Sequence, residues 1–161
     1  MAATKKTNDY SGRKVDILAL DGAFNDGVFP MEQTLYTNGS KVCSGIQKLA
    51  QRWLIEFFTP RGSIPYLPDR GSDFIYKTRS GRIRTELDAR LAFNFAKESV
   101  AVNLKREDAA GVYPEDEQYK DAVLLAVQVV MGSSLNLSVR IDSVADASRV
   151  FVVPLNVVPA R

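Results

Sequence analysis

The sequence predicts an α+β fold, with two amphipathic helices in the N-terminal half packed on a C-terminal antiparallel β-sheet. Three observations carry that expectation. Residues 42–58 repeat apolar side chains at helical spacing, residues 81–96 do so again, and the segments beyond residue 120 alternate apolar and polar side chains with strand periodicity. At 161 residues with 45% hydrophobic side chains, the chain is long enough for one domain with a sizeable core.

Residues 1–14 read as a flexible polar tail and 15–161 as a single domain. A short strand is expected at 15–20, closed by Asp21-Gly22 and the turn-rich Asn25-Asp26-Gly27. In the first helix Val42, Ile46, Leu49, Trp53 and Phe57 form one stripe, widened by Leu54 and Phe58. Lys48, Gln51, Arg52 and Glu56 fall off it, and Ser40 is the expected N-cap. Pro60 stops the helix because it disfavours helical geometry at Thr59.

Residues 59–73 hold three prolines and two glycines, which forbid regular helix, yet Ile64, Tyr66 and Leu67 are too apolar for a solvated linker. A rigid loop packed on the body is expected, suited to a surface that must keep its shape for a partner. In the second helix Ile83, Leu87, Leu91 and Phe95 share a face, and Arg82, Glu86 and Arg90 lie opposite with Glu86 able to pair. Residues 99–104 alternate as a strand, and 105–118 read as a polar connection. Strands are expected at 122–130, 134–141 and 150–155, with turns at Gly132-Ser133 and Asp146-Ala147-Ser148. Pro154 marks the last as an edge or a strand end.

The chemistry open to the chain is narrow. With no histidine, Ser-His-Asp and Cys-His catalysis and His-ligated zinc are excluded. The single Cys43 forms no internal disulfide, and no phosphate-binding or calcium-binding loop motif is present. No metal or cofactor is expected. Asp69, Asp73, Glu98, Glu107, Asp108 and the run Glu115-Asp116-Glu117 are nonspecific candidates for a two-carboxylate glycosidase pair. A net charge of +2 implies neither nucleic acid nor an anionic membrane as partner, and no apolar run reaches membrane-spanning length. Lys77, Arg79, Arg82, Arg84 and Arg90 form the one local basic excess, read as a solvated or protein-binding face, with a nucleic-acid contact as the lesser alternative.

The run from Ser44 to Ser63, with Thr59-Pro60-Arg61-Gly62 at its end and Pro68-Asp69-Arg70-Gly71-Ser72 beyond it, resembles the baseplate wedge or sheath-initiator family of contractile phage tails and related injection systems. There a helix with an aromatic end leads into Thr-x-x-Gly and Pro-Asp-x-Gly-Ser steps, followed by a helix, a Glu-Pro-Arg signature and antiparallel strands. The resemblance covers about residues 39–155, but Phe95-Ala96-Lys97-Glu98-Ser99-Val100 stands where the signature is expected, with Glu98 as its acid and no proline or arginine. The connection 105–120 is also longer than the family needs. The resemblance implies a non-enzymatic structural subunit of the virion tail baseplate, assembled in the host cytoplasm in several copies, six expected. Its partners would be baseplate wedge proteins, the tail sheath subunit and, as a further neighbour, tail tube proteins. Expected contact residues are Arg61, Tyr66, Asp69 and Arg70 in the loop, Arg82, Arg84 and Glu98 around the second helix, and Phe151 and Val153 in the last strand, which would template the first sheath ring. The alternative is a lysozyme-like, cell-wall-degrading glycosidase of the tail.

Overall fold

Helices from the N-terminal half pack on a three-stranded antiparallel sheet at the C-terminus, giving the α+β arrangement that the periodicities predict. The structure, a computed structural model, describes residues 13–18, 20–21, 32–33, 42–130 and 134–156. Their order is β1 (Asp16–Ile17), β2 (Leu20–Asp21), β3 (Glu32–Gln33), β4 (Val42–Cys43), α1 (Ile46–Phe58), α2 (Phe74–Arg79), α3 (Glu86–Asp108), a 3-10 turn (Glu115–Glu117), β5 (Tyr119–Val130), β6 (Ser134–Ser143) and β7 (Ser148–Asn156). The expected turns at 25–27 and 132–133, the Ser40 cap and residues 1–12 of the expected tail lie outside the described residues. Arg13 and Lys14 are tied down rather than free: Arg13 pairs with Asp116, and the Lys14 carbonyl accepts from Lys48 Nζ at 2.7 Å.

Helix α1 starts at Ile46, later than its apolar stripe, because Gly45 turns the chain at φ 62°. A Cβ there would sit 2.9 Å from Asp116 Oδ2. Val42 and Cys43 instead form β4, antiparallel to β1. The helix is covered on nearly every side, by α3, α2, the 3-10 turn and the sheet, so its polar residues are not on a solvated face as expected. Lys48, Gln51 and Glu56 are all buried, and each has a partner. Trp53 stacks on Phe57 at 4.6 Å and meets Phe93 of α3 and Phe151 of β7 at 6.0 Å, so one aromatic cluster joins the layers.

Helix α2 has six residues, too few for a periodic signal, and buries Phe74 and Thr78. Helix α3 opens with a capping box between Thr85 and Asp88 and runs 23 residues to Asp108, about 34 Å at 1.5 Å per residue. It therefore absorbs the strand expected at 99–104. That short alternation coincides with a helical face in which Val100, Asn103 and Leu104 are buried, and packing overrides the β preference of the valines. Only 109–118 then remains between helix and sheet, which accounts for the long connection.

In the sheet, β6 pairs with β5 on one side and β7 on the other. Strict alternation buries Leu135, Leu137, Val139, Ile141 and Ser143. Strand β5 lacks such alternation because the register shifts twice, between Tyr119 and Asp121 and between Leu124 and Ala126. Each shift inserts one residue, Lys120 and then Leu125, and so moves the inward positions from Tyr119 to Ala122 and Leu124, then to Val127.

Candidate interaction surfaces

The segment 59–73 is a loop closed at its own base. Pro60 bridges Ser72, with Arg61 N–H donating to the Ser72 carbonyl at 3.1 Å and Ser72 N–H to the Thr59 carbonyl at 2.8 Å. Gly71 is obligatory there: at φ 90° a Cβ would lie 2.2 Å from the Thr59 oxygen. The Thr-x-x-Gly and Pro-Asp-x-Gly-Ser steps are thus the two ends of one closure. Beneath it the buried Glu56 carboxylate accepts from Gly71 N–H at 2.7 Å and Asn103 Nδ2 at 2.6 Å, and pairs with Arg70 Nε at 2.8 Å. Asn103 also donates to the Asp69 carbonyl at 3.0 Å, and Arg70 reaches on to Glu107. The loop is therefore fixed to α1 and α3 through one buried acid.

A second polar knot sits where α3 meets the sheet. Arg52 donates to Glu107 at 2.9 Å, Asp108 at 3.0 Å and the Glu117 carbonyl at 2.9 Å, with its guanidinium 3.6 Å from the centre of the Tyr113 ring. Burial opposes ionisation of Glu107, but hydrogen bonds from Arg52 and Arg70 outweigh it and hold its carboxyl below the ordinary value. Glu117 accepts from Gly45 N–H and pairs with Lys48. The segment Phe95–Val100 lies inside α3, with Glu98 exposed on it.

The residues expected to make contacts fall into three groups. Tyr66, 92% exposed at the loop tip, and Arg82 and Arg84 before α3 are exposed, with Arg84 Nε donating to the Gly81 carbonyl at 3.2 Å. Arg61, Asp69 and Glu98 come together along an open groove of about 400 Å³, floored by Phe95 and Val102 and bounded by Ser99, Asn103 and Arg106. The side chains of Arg70, Phe151 and Val153 are not presented to a partner as expected. Arg70 is engaged by Glu56 and Glu107, while Phe151 and Val153, 3% and 4% exposed, point into the core. The outward side chains of β7 are Val150, Val152 and Pro154.

Periodicity also placed the wrong face of α3 in the core. Its buried side is Ala89, Ala92, Phe93, Ala96, Val100 and Leu104, whereas Leu87, Leu91, Phe95 and Val102 are exposed. The alanine spacing was visible in sequence, but large side chains dominate a hydrophobic stripe. Small ones permit the close approach of α3 to the aromatic cluster.

Strand β7 presents the other unpartnered surface. Among the described residues it pairs with β6 alone. The ladder passes through the Asn136–Pro154 pair without a break, so the proline nitrogen lies on the outer side. Main-chain groups of Val150 and Val152, of the same parity, face outward with it.

Of the weighed carboxylates, Glu107, Asp108 and Glu117 are in ion pairs, and Asp69 and Glu98 line the groove. Cys43 is buried in β4, where burial and then the Asp16 charge push its thiol up to about 11, away from thiolate chemistry. Among the described residues no cluster of acids and cysteine fit for a metal ion occurs, and no helix is long and apolar enough to cross a membrane. Comparison with models of known families, with curated proteins and with solved structures finds no match.

Proposed function

We propose that the chain is a structural subunit of a contractile tail baseplate, joining wedge to sheath and templating the first sheath ring by strand addition. The observation that carries this reading is the outer edge of β7, which has no neighbouring strand among the described residues. An added strand would gain main-chain hydrogen bonds at Val150 and Val152, and Pro154 would limit how far the pairing extends. The motif order from Thr59 to Ser72 supports it too, since those residues build the closure that fixes the loop. The reading involves no cofactor, and the working location is the virion tail, after assembly in the host cytoplasm.

The test is co-purification of the tagged full chain with the wedge and sheath proteins of its own tail. Removing β7 would take Phe151 and Val153 from the core, so the informative variant is Val152→Pro, which deletes an outward donor. The reading expects the parent chain to recover both partners and the variant to lose sheath alone. Recovery of neither, with release of soluble fragments from purified peptidoglycan, would overturn it in favour of the glycosidase. Steeply salt-dependent DNA binding would overturn it in favour of a nucleic-acid adaptor.

A further inference from the structure

We infer that the outward face of α3 is a docking groove for an amphipathic helix of another protein, apolar along one stripe and acidic on its flanks. This rests on a different face from the β7 edge and stands independently of it. Leu87, Leu91, Phe95 and Val102 are 64%, 49%, 63% and 66% exposed. At 1.5 Å per residue they span about 22 Å on one side of the helix, the length of four helical turns of a partner. Large apolar side chains aligned this way mark an interaction surface on a soluble domain. The loop raises one wall along the C-terminal half of this stripe, and that wall makes the groove.

Charge selects the occupant. Lys77 Nζ stands 4.9 Å from the centre of the Phe95 ring, Arg61 is held by the Ser99 hydroxyl, and Arg106 donates to Asn103 Oδ1 at 3.1 Å. None of these three cations has a carboxylate partner among the described residues. Across the helix, by contrast, Arg90 pairs with Glu86 and Lys97 with Asp121. Against these three cations the groove sets two acids, Asp69 in the loop wall and Glu98 on the stripe, so it keeps a positive excess for a partner's acids while each of the two takes a basic residue. A second copy of α3 would bring the same excess of cations over acids from both sides, which electrostatic complementarity disfavours. An aliphatic and aromatic floor is equally ill suited to phosphates.

The test titrates the full chain with a fluorescein-labelled, lactam-bridged helical peptide bearing leucines at i, i+4, i+8 and i+15 and glutamates on both flanks. A matched peptide carries lysines in place of the glutamates. The glutamate peptide should bind at least about tenfold more tightly and shift the backbone amide resonances of residues 87–106. Leu91→Ser and Phe95→Ser should each weaken it, with unchanged circular dichroism because both side chains are exposed. Arg106→Gln should narrow the difference between the two peptides without altering the apolar surface. Equal affinity for both peptides, or resonance shifts confined to other elements, would overturn the inference. So would a dimer in sedimentation that Phe95→Ser abolishes, or binding of duplex DNA or anionic vesicles across the same residues.

Discussion

Glu56→Gln tests whether a single buried acid holds the loop in place. The native carboxylate, 2% exposed, serves Gly71 N–H, Asn103 Nδ2 and Arg70 Nε together. The amide can keep one oxygen toward Gly71 and Asn103, but it then turns its NH2 toward the Arg70 guanidinium. Breaking one side of a buried ion pair costs about 3–5 kcal/mol. Arg70 retains Glu107 and is partly solvated, so about 2–3 kcal/mol is expected here. For a domain of this size that lowers Tm by about 4–12 °C. Urea unfolding measures the loss, and hydrogen exchange at the Gly71 amide locates it, since that proton should exchange faster in the variant. A change below about 0.5 kcal/mol with unaltered exchange at Gly71 would refute the clamp, because that is the range of an ordinary surface substitution.

Gly71→Ala should cost at least about 3 kcal/mol or prevent folding, as its Cβ would collide with the Thr59 oxygen at a positive φ; thermal melting measures this. The depressed carboxyl of Glu107 holds fewer protons in the native chain than in the unfolded one. Its contribution is therefore full above its ordinary value of 4.5 and is lost as pH falls through the lower native value. Urea midpoints at pH 7, 5 and 3.5 should fall mainly between the last two, and more shallowly in Glu107→Gln. Cys43, with its thiol raised to about 11, should resist a disulfide reagent at pH 8 in the native protein and react promptly in urea.

Legibility in the sequence followed the reach of each signal. Helix α1 and strands β6 and β7 were readable because one face of each is buried and the other is not, apart from the polar residues of α1. Lys48, Gln51 and Glu56 looked solvent-facing because periodicity reports polarity, and nothing local announces that Glu117, Ile17 or Arg70 will come to meet them. Helix α3 misled in two ways. Its Val100–Leu104 portion alternates over too few residues to distinguish strand from helix, and its two apolar faces differ in side-chain size more than in character. The bulges in β5 hid a strand whose inward parity changes twice. Among the expected contact residues, the exposure of Tyr66, Asp69 and Glu98 followed from polar or loop character. The ion pairing of Arg70 did not, because its two carboxylate partners lie 14 residues before it and 37 after it.

Hydrogen–deuterium exchange on the full chain, with and without the sheath subunit of its own tail, tests the proposed role most directly. Strand addition predicts new protection at the outward amides of Val150 and Val152, while the β6 amides, already paired on both sides, change little. Exchange in β7 that is identical in the presence of saturating sheath subunit would contradict it.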